Sequence, residues 1–240
     1  MRSKQALAGQ SSTEFLVALP VLILLLFGII QFALIYQARA TLNHATMLAA
    51  RAGALNNGDE NKMRDALASG LVPMFAKSPS MGAYGTALLH VKATETAKAL
   101  GLAKIEVLNP TRAAFTDFAR ARLDTGAGRE LPNDTLNYRS TAAGGASKIS
   151  VQDANLLHVR VTYCYRLFVP VVDRVIYATV NAFNANDTSL ASNGMSDPFG
   201  TNGAITRPNC INPLKPSENR IEIRSEAFVR MQTPFYEANL

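Results

Sequence analysis

Charged residues are scarce in this 240-residue chain, at 18% against about 25% in a typical soluble domain. Apolar residues make up 48%, a share that excludes a disordered or collagen-like polymer. The shortage of charge is concentrated near the N-terminus, because no charged residue stands between Glu14 and Arg39. The chain therefore carries an apolar segment that a water-facing fold does not require.

This uncharged segment is long enough to cross a membrane. At ~1.5 Å per residue, a helix between Glu14 and Arg39 extends about 36 Å, and the hydrocarbon layer of a bilayer is about 30 Å thick. The residues that follow are numerous enough to bury one core of their own. We predict a transmembrane helix segment at residues 10–38 and one soluble head at residues 39–240.

Motifs of catalysis and cofactor binding are missing from the sequence. It has no HExxH, CxxC, Gly-x-Ser-x-Gly or Walker-type Gly-Lys-Ser/Thr pattern. The histidines His44, His90 and His158 lack the spacing of a helical metal pair, and we expect them at surface or boundary positions. We therefore expect no enzyme, no cofactor, no metal site and no small-molecule substrate.

The formal net charge of +6 does not predict nucleic-acid binding. Basic residues alternate with acidic ones, as in Glu222-Ile223-Arg224, and form no basic stripe. This alternation is typical of a solvated strand face.

Helical patterns dominate the first half of the chain. Small and apolar residues predict one helix from Ser11 to Leu55, with Pro20 as a kink and Asn56-Asn57-Gly58 as its stop signal. Asp59 is the expected N-cap of a second helix. Further along, the pattern predicts a third helix over 81–103, a short strand over 105–108, a small helix opened by Asn109-Pro110-Thr111, and irregular structure over 126–147.

Two segments near the C-terminus alternate apolar and polar residues with a period of two. They run over 157–167 and 221–231, and Pro170 and Pro234 follow them. Two half-buried strands of this length favour an antiparallel ladder with one face on the long helix. The fold class predicted is α+β, with a pilin-like long N-terminal helix packed on a small antiparallel sheet and additional short helices.

Cys164 and Cys210 are the chain's two cysteines. We predict that they form a disulfide, which would stabilise the fold by roughly 3–4 kcal/mol in the chain-entropy model. Two buried free thiols remain the alternative. The disulfide would suit an oxidising compartment.

The N-terminal segment admits different processing routes. Ala38-Arg39-Ala40 could serve as a signal-peptidase site, although the apolar run before it is longer than a signal peptide needs. A lipoprotein leader is excluded, because position 10 is Gln rather than Cys. An uncleaved anchor stays open.

A further route comes from a resemblance to the type IV prepilin (class III) signal. Arg2 and Lys4 precede Gly9, Gln10, Glu14 and Phe15 and then the apolar run. The resemblance implies that a prepilin peptidase cuts between Gly9 and Gln10, removing a leader of residues 1–9 and retaining the helix. Most type IV pilins carry Phe at the first mature position, where this chain has Gln10.

Glu14 has two interpretations. A carboxylate near the start of a helix is stabilised by the macrodipole, by about 0.3–1 kcal/mol. An ionisable group at the membrane edge usually has a partner. In pilins that partner is the freed α-amino group of a neighbouring subunit, so the resemblance implies that Glu14 sets the register of assembly.

The sequence as a whole resembles a TadE-like pseudopilin of the Tad (tight adherence, Flp-type) pilus system. The resemblance is most specific over residues 9–54, which include Gln10-Ser11-Ser12-Thr13-Glu14-Phe15 and the alanine-rich continuation of the helix. It continues more loosely through Asn109-Pro110-Thr111, Pro132-Asn133-Asp134, residues 152–157 and the tyrosine-rich strand to Pro170, while residues 60–105 match nothing in it.

The resemblance implies a role in pilus biogenesis and adhesion, with prepilin peptidase, other Tad pseudopilins, pilin and the inner-membrane assembly platform as partners. Major Flp pilins are little more than the apolar helix, so a chain with a large head is expected to be a minor component. A minor pseudopilin of a type II secretion-like system and an uncleaved membrane-anchored periplasmic protein are the alternatives.

The positive-inside rule does not decide the orientation of the apolar helix. Arg2, Lys4 and the α-amino group lie on one side of it, and Arg39 and Arg51 lie on the other. A short leader is easily retained in the cytoplasm, and two cysteines suit an oxidising space. We therefore expect a single-pass protein of the bacterial inner membrane with a cytoplasmic N-terminus and a periplasmic head.

Overall fold

One long helix organises the structure, a computed structural model that describes residues 10–124, 126–185, 210 and 212–240. Helix α1 runs over Gln10–Leu55 with Pro20 inside it. The predicted stop signal is confirmed: Asn57 and Gly58 take positive φ angles of 57° and 80°, and the amide of Gly58 donates to the carbonyl of Gly53 at 2.9 Å.

Short helices follow α1, as the first-half pattern predicted. Asp59 caps the second helix by accepting a hydrogen bond from the amide of Asn61. The α-helices after α1 are α2 (Glu60–Leu71), α3 (Met81–His90), α4 (Arg112–Phe118), α5 (Val151–Ala154) and α6 (Val172–Ala185). Single 3₁₀ turns lie at Val72–Met74, Lys98–Leu100, Leu136–Tyr138 and Glu237–Asn239.

The main sheet confirms the predicted antiparallel ladder. Its strands are β1 (Ala103–Asn109), β4 (Leu156–Arg166) and β5 (Arg220–Arg230), in the order β1-β4-β5. Val159, in the middle of β4, lies opposite Val107 on one side and Ala227 on the other. A smaller antiparallel sheet has the order β2-β3-β6, with strands Arg120–Ala121, Arg129–Leu131 and Phe235–Tyr236.

The core lies between the second half of α1, helix α2 and one face of the main sheet. Helix α1 contributes a stripe of mostly small side chains that are at most 2% exposed: Ala38, Leu42, Ala45, Ala49, Ala50 and Ala54. The sheet contributes the odd-numbered residues of β4, which follow the predicted alternation: Leu157, Val159, Val161, Tyr163 and Tyr165. The structure is therefore α+β, with a long N-terminal apolar helix followed by small antiparallel sheets and short helices.

The predicted third helix over 81–103 is wrong in its second half. Helix α3 ends at His90, a π-helical turn follows over Val91–Glu95, and β1 begins at Ala103. The Thr96 hydroxyl donates to the carbonyl of Val91 at 3.2 Å, and Gly101 has a left-handed φ of 64°. A side chain bonded to the backbone and a left-handed residue both terminate a helix. Here they end the helix before residue 103, the point to which the apolar periodicity predicted that it would continue.

Two further elements differ from the sequence prediction. The segment 126–147, expected to be irregular, contains β3, because Glu130 and Leu131 pair with Tyr236 and Phe235 far away in the chain. Helix α6 was not predicted, although Val172 and Ile176 are spaced four residues apart and pack against the core. The polar composition of the residues that follow masked this short amphipathic pattern.

Gly70 allows α1 and α2 to approach closely. A Cβ atom at Gly70 would lie 2.5 Å from the Cα atom of Ala45 and 2.6 Å from its Cβ atom. Because the nearest atom belongs to the backbone, a side chain here would force the helices apart. At Gly85, inside α3, an added Cβ would meet nothing within 4 Å.

We predict opposite effects of alanine at these two glycines. Gly70→Ala should lower the free energy of unfolding by about 1–3 kcal/mol through overpacking. Gly85→Ala, the matched control, should raise it by about 0.5–1 kcal/mol, since alanine is the better helix former. Urea unfolding of the full chain in detergent, monitored by near-ultraviolet circular dichroism, measures both effects. A Gly70→Ala protein as stable as the parent would show that this contact does not set the helix spacing.

Candidate functional site

The first half of α1 exposes apolar side chains along its length. Large apolar residues that are at least 37% exposed include Phe15, Leu16, Val17, Val21, Leu22, Ile23, Leu24, Leu25, Leu26, Phe27, Ile29 and Ile30. Among the described residues, one helix is long and apolar enough to cross a membrane, and it lies here. At ~1.5 Å per residue, residues 10–30 cover about 30 Å, which is the thickness of the hydrocarbon layer.

Gln31 marks the point at which the head begins to cover α1. Its side chain is fully buried, and its Oε1 atom accepts hydrogen bonds from the amides of Phe168 at 3.1 Å and Val169 at 2.9 Å. The sequence placed the end of the transmembrane segment at residue 38. The head contacts α1 at Gln31, inside this predicted segment, through the residues that connect β4 to α6, and the boundary at residue 38 stays a prediction.

Three of the residues proposed for processing and assembly, Gln10, Glu14 and Phe15, lie at the start of α1. Gly9 lies outside the described residues, as does the rest of the predicted leader 1–9. Gln10 is the first described residue of the helix, Glu14 is the fifth, and Phe15 is 58% exposed. Glu14 is also exposed, so its carboxylate is on the outer surface of the helix.

A disulfide joins Cys164, on β4, to Cys210, with the two Cα atoms 5.3 Å apart. The bond spans 46 positions of the chain. It connects a central strand of the head to the stretch that precedes β5.

A buried ionic cluster lies beside this disulfide. The side chains of Arg220 and Glu95 are 3% and 5% exposed, and two nitrogen–oxygen contacts of 2.9 and 3.1 Å join them. The Tyr163 hydroxyl donates to Glu95 Oε2 at 2.7 Å. Arg220 also donates to the carbonyl of Cys164 at 2.9 Å and to Glu218 at 2.9 Å.

Burial and charge shift the pKa values in this cluster. Burial raises the pKa of Tyr163 well above its ordinary value, and the adjacent Glu95 carboxylate raises it further. Burial lowers the pKa of Arg220, but hydrogen bonds to Glu95 and Glu218 and the charge of Glu95 raise it more, so the net shift is upward. Burial raises the pKa of Glu218, but Arg220 and Arg166 lower it more, so its pKa is below the usual range. Arg220 is therefore a fixed cation, and Tyr163 a neutral donor.

The cluster forms one wall of a cavity of about 470 Å³. Helix α1 also lines the cavity, through Leu34, Gln37 and Ala38, just beyond Gln31 in the sequence. Phe75 and Phe168 add aromatic surface. The polar atoms of Arg220 and Glu95 bond to each other and to their neighbours, so the cluster holds the π-helical turn, β4 and β5 together.

Sequence reasoning missed this cluster. Glu95 lies within the segment predicted as a long helix, and 125 positions separate it from Arg220. The available signal was an arginine immediately before an alternating strand, and this pattern is equally typical of an exposed residue.

The histidine prediction is correct at two positions and wrong at the third. His44 and His90 are exposed. His158 is only 3% exposed, stacks on Phe228 with ring centroids 3.9 Å apart, and contacts Glu226 at 2.9 Å through Nε2. His158 is buried because β4 is the central strand of the main sheet and the ring of Phe228, on the neighbouring strand β5, covers it. Within the described part of the chain, no group of three His, Cys, Asp or Glu side chains could hold a metal ion.

These features define a class of protein: an α+β head carried on a helix whose exposed half could span a membrane. A family model described as TadE-like protein matches residues 9–51, the segment that contains Gly9, the apolar half of α1 and most of its small-residue stripe. This segment of the chain is TadE-like, which confirms the resemblance drawn from its sequence. No curated protein and no solved structure matches the chain.

We predict that the buried ion pair is essential for the stability of the head. Glu95→Gln leaves the cation of Arg220 without its main partner and should lower the free energy of unfolding by roughly 3 kcal/mol. Asp65→Asn is the matched control, because Asp65 pairs with Lys92 on the surface, where both side chains are at least 43% exposed. It should cost less than about 1 kcal/mol.

Urea unfolding of the full chain in detergent measures both values. If Glu95→Gln and Asp65→Asn cost the same, then Glu218 alone compensates the charge of Arg220 and the cluster does not depend on Glu95.

Proposed function

We propose that this protein is a minor pseudopilin of the Tad (tight adherence) pilus system that acts in pilus biogenesis and adhesion. The observation that carries the proposal is the TadE-like match over residues 9–51, which coincides with the exposed apolar half of α1 and its continuation into the head. The role is one of assembly and not of catalysis.

The division of α1 supports an assembly role. Its second half is occupied by the protein's own head, whereas its first half exposes apolar side chains on all sides. Such a surface is stable only in lipid or against other apolar helices. In the proposed cycle, it resides in the inner membrane and then packs against the helices of pilin or of other pseudopilins.

The proposed orientation has the N-terminus in the cytoplasm and the head in the periplasm. A disulfide between Cys164 and Cys210 favours this orientation, because disulfides persist in the oxidising periplasm and are rare in the cytoplasm. In this orientation Gly9 and Gln10 face a prepilin peptidase on the cytoplasmic side, and the head faces the inner-membrane assembly platform and partner subunits.

Processing gives the first test. The mature protein should begin at Gln10, and N-terminal sequencing or intact mass measurement of the chain purified from the native host measures this directly. Gly9→Leu should block the cut, because a side chain there prevents close approach of the backbone in the peptidase cleft. Gly28→Leu is the matched control: Gly28 has open space around it, and this change should leave processing intact.

The other possible N-termini contradict the proposal in different ways. A chain that still begins at Met1 would be an uncleaved periplasmic anchor. A chain that begins at Thr41 would be a secreted product without the apolar helix. A chain that begins at Gln10 but co-purifies with type II secretion components would belong to that system instead.

Assembly gives the second test, at Glu14. Glu14→Ala should abolish incorporation into pili or the assembly complex while leaving the cut after Gly9 intact, because the proposed partner of this carboxylate is the new α-amino group of a neighbour. Glu14→Asp keeps the charge and should restore assembly at least in part. Pilus counts by electron microscopy and co-purification of pilin measure the effect. Normal assembly by Glu14→Ala would remove the register role.

A further inference from the structure

An exposed apolar surface lies at the end of the head nearest the apolar half of α1. Phe168 is 53% exposed, Val171 61% and Val175 53%, and Pro170 and Arg174 between them are also exposed. We call these five residues the basal patch. They belong to the segment after β4 and to the first turn of α6.

Hydrogen bonds to Gln31 fix the position of the basal patch along α1. The amides of Phe168 and Val169 lie within 3.1 Å of Gln31 Oε1. Gln31 directly follows Ile29 and Ile30, which are 59% and 43% exposed. The patch therefore lies at the level where the lipid-facing half of α1 ends.

The two faces of α6 have different environments. Val172, Ile176, Tyr177 and Val180 are buried or packed against the core. On α6, Arg174, Val175 and Ala178 are exposed and spaced so that they share the opposite face, and Val171, the residue before the helix, is also exposed. Val175 therefore adds a large exposed apolar side chain to those of Phe168 and Val171, and an exposed apolar patch of this kind indicates a binding partner.

Charge and aromatic side chains at the same level favour a membrane surface as that partner. The guanidinium group of Arg166 lies 5.3 Å from the ring centroid of Phe168, although it also contacts Glu218 at 3.1 Å. Arg174 is exposed within the patch. On α1, Tyr36 is 77% exposed just beyond Gln31, and tyrosine is enriched at the level of lipid headgroups.

We propose that the basal patch inserts into the boundary between headgroups and acyl chains on the head's side of the membrane. The lipid surface would then hold the head at a second point, beside α1, and arginine would face anionic headgroups. This inference rests on the membrane anchoring proposed above, and it goes further by assigning lipid contact to the head itself.

The absence of tryptophan from the chain makes a direct test possible. Phe168→Trp places a single indole in the patch of the full chain. Phe27→Trp places one in the apolar half of α1 as the marker of insertion. Tyr138→Trp is the matched head control: Tyr138 is 92% exposed, and its 3₁₀ turn contacts Gln152, near the end of β4 away from Arg166.

Each variant is reconstituted into vesicles of phosphatidylcholine and phosphatidylglycerol, with and without lipids brominated high on the acyl chains. Bromine quenches an indole that lies close to it. We expect brominated lipid to lower the emission of Phe168→Trp by about twofold or more, because interfacial residues reach the acyl boundary. The emission of Tyr138→Trp should be unchanged. Adding Val171→Ser and Val175→Ser to Phe168→Trp should reduce the quenching, and circular dichroism checks that the fold persists.

The outcomes separate this inference from the membrane anchor. Quenching of Phe27→Trp without quenching of Phe168→Trp would overturn lipid contact by the patch and leave the anchor in place. Loss of quenching at both positions would overturn the anchor and the inference together. The third outcome is an emission of Phe168→Trp that is blue-shifted, depends on protein concentration and is not quenched by brominated lipid. It would overturn lipid contact by the patch and show that a second copy of the chain covers it.

Discussion

The structure depends on one helix that must be stable in two environments. The half of α1 before Gln31 exposes Leu, Ile, Val and Phe side chains, whereas the half after it buries alanines such as Ala45 and Ala49. Branched and aromatic residues suit a lipid phase, and small ones allow helices and sheets to approach closely. Because the helix is continuous over Gln10–Leu55, the position of the head is coupled to that of the exposed apolar segment.

The periodic elements of this fold could be predicted from sequence, because their signals are local. The stop at Asn56-Asn57-Gly58 and the alternation along β4 and β5 depend on residues within a few positions of each other. The end of α3 could not be predicted in this way. It depends on Thr96 bonding back to Val91 and on Gly101 taking a left-handed conformation, within a segment whose composition favours a helix.

Long-range contacts explain what the sequence could not reveal about the candidate site. Arg220 joins the π-helical turn at Glu95 and the backbone of Cys164, which lie 125 and 56 positions away, and no short-range pattern links these positions. For the same reason His158 resembled a surface residue, although Phe228 of the neighbouring strand covers it. Gly9 and Glu14, by contrast, stand five positions apart, so their resemblance to the prepilin signal depends on adjacent residues alone.

The buried ion pair and the basal patch are parts of one arrangement. Desolvating Arg220 and Glu95 is costly, so the pair is favourable only because each partner is held by several hydrogen bonds. Those bonds fix the C-terminal end of β4, and the amides of Phe168 and Val169, two and three residues after the strand, bond to Gln31. A rigid connection from the core to Gln31 resists rotation of the head around α1. The exposed side chains of Phe168 and Val175 are consequently presented on one fixed side of the helix.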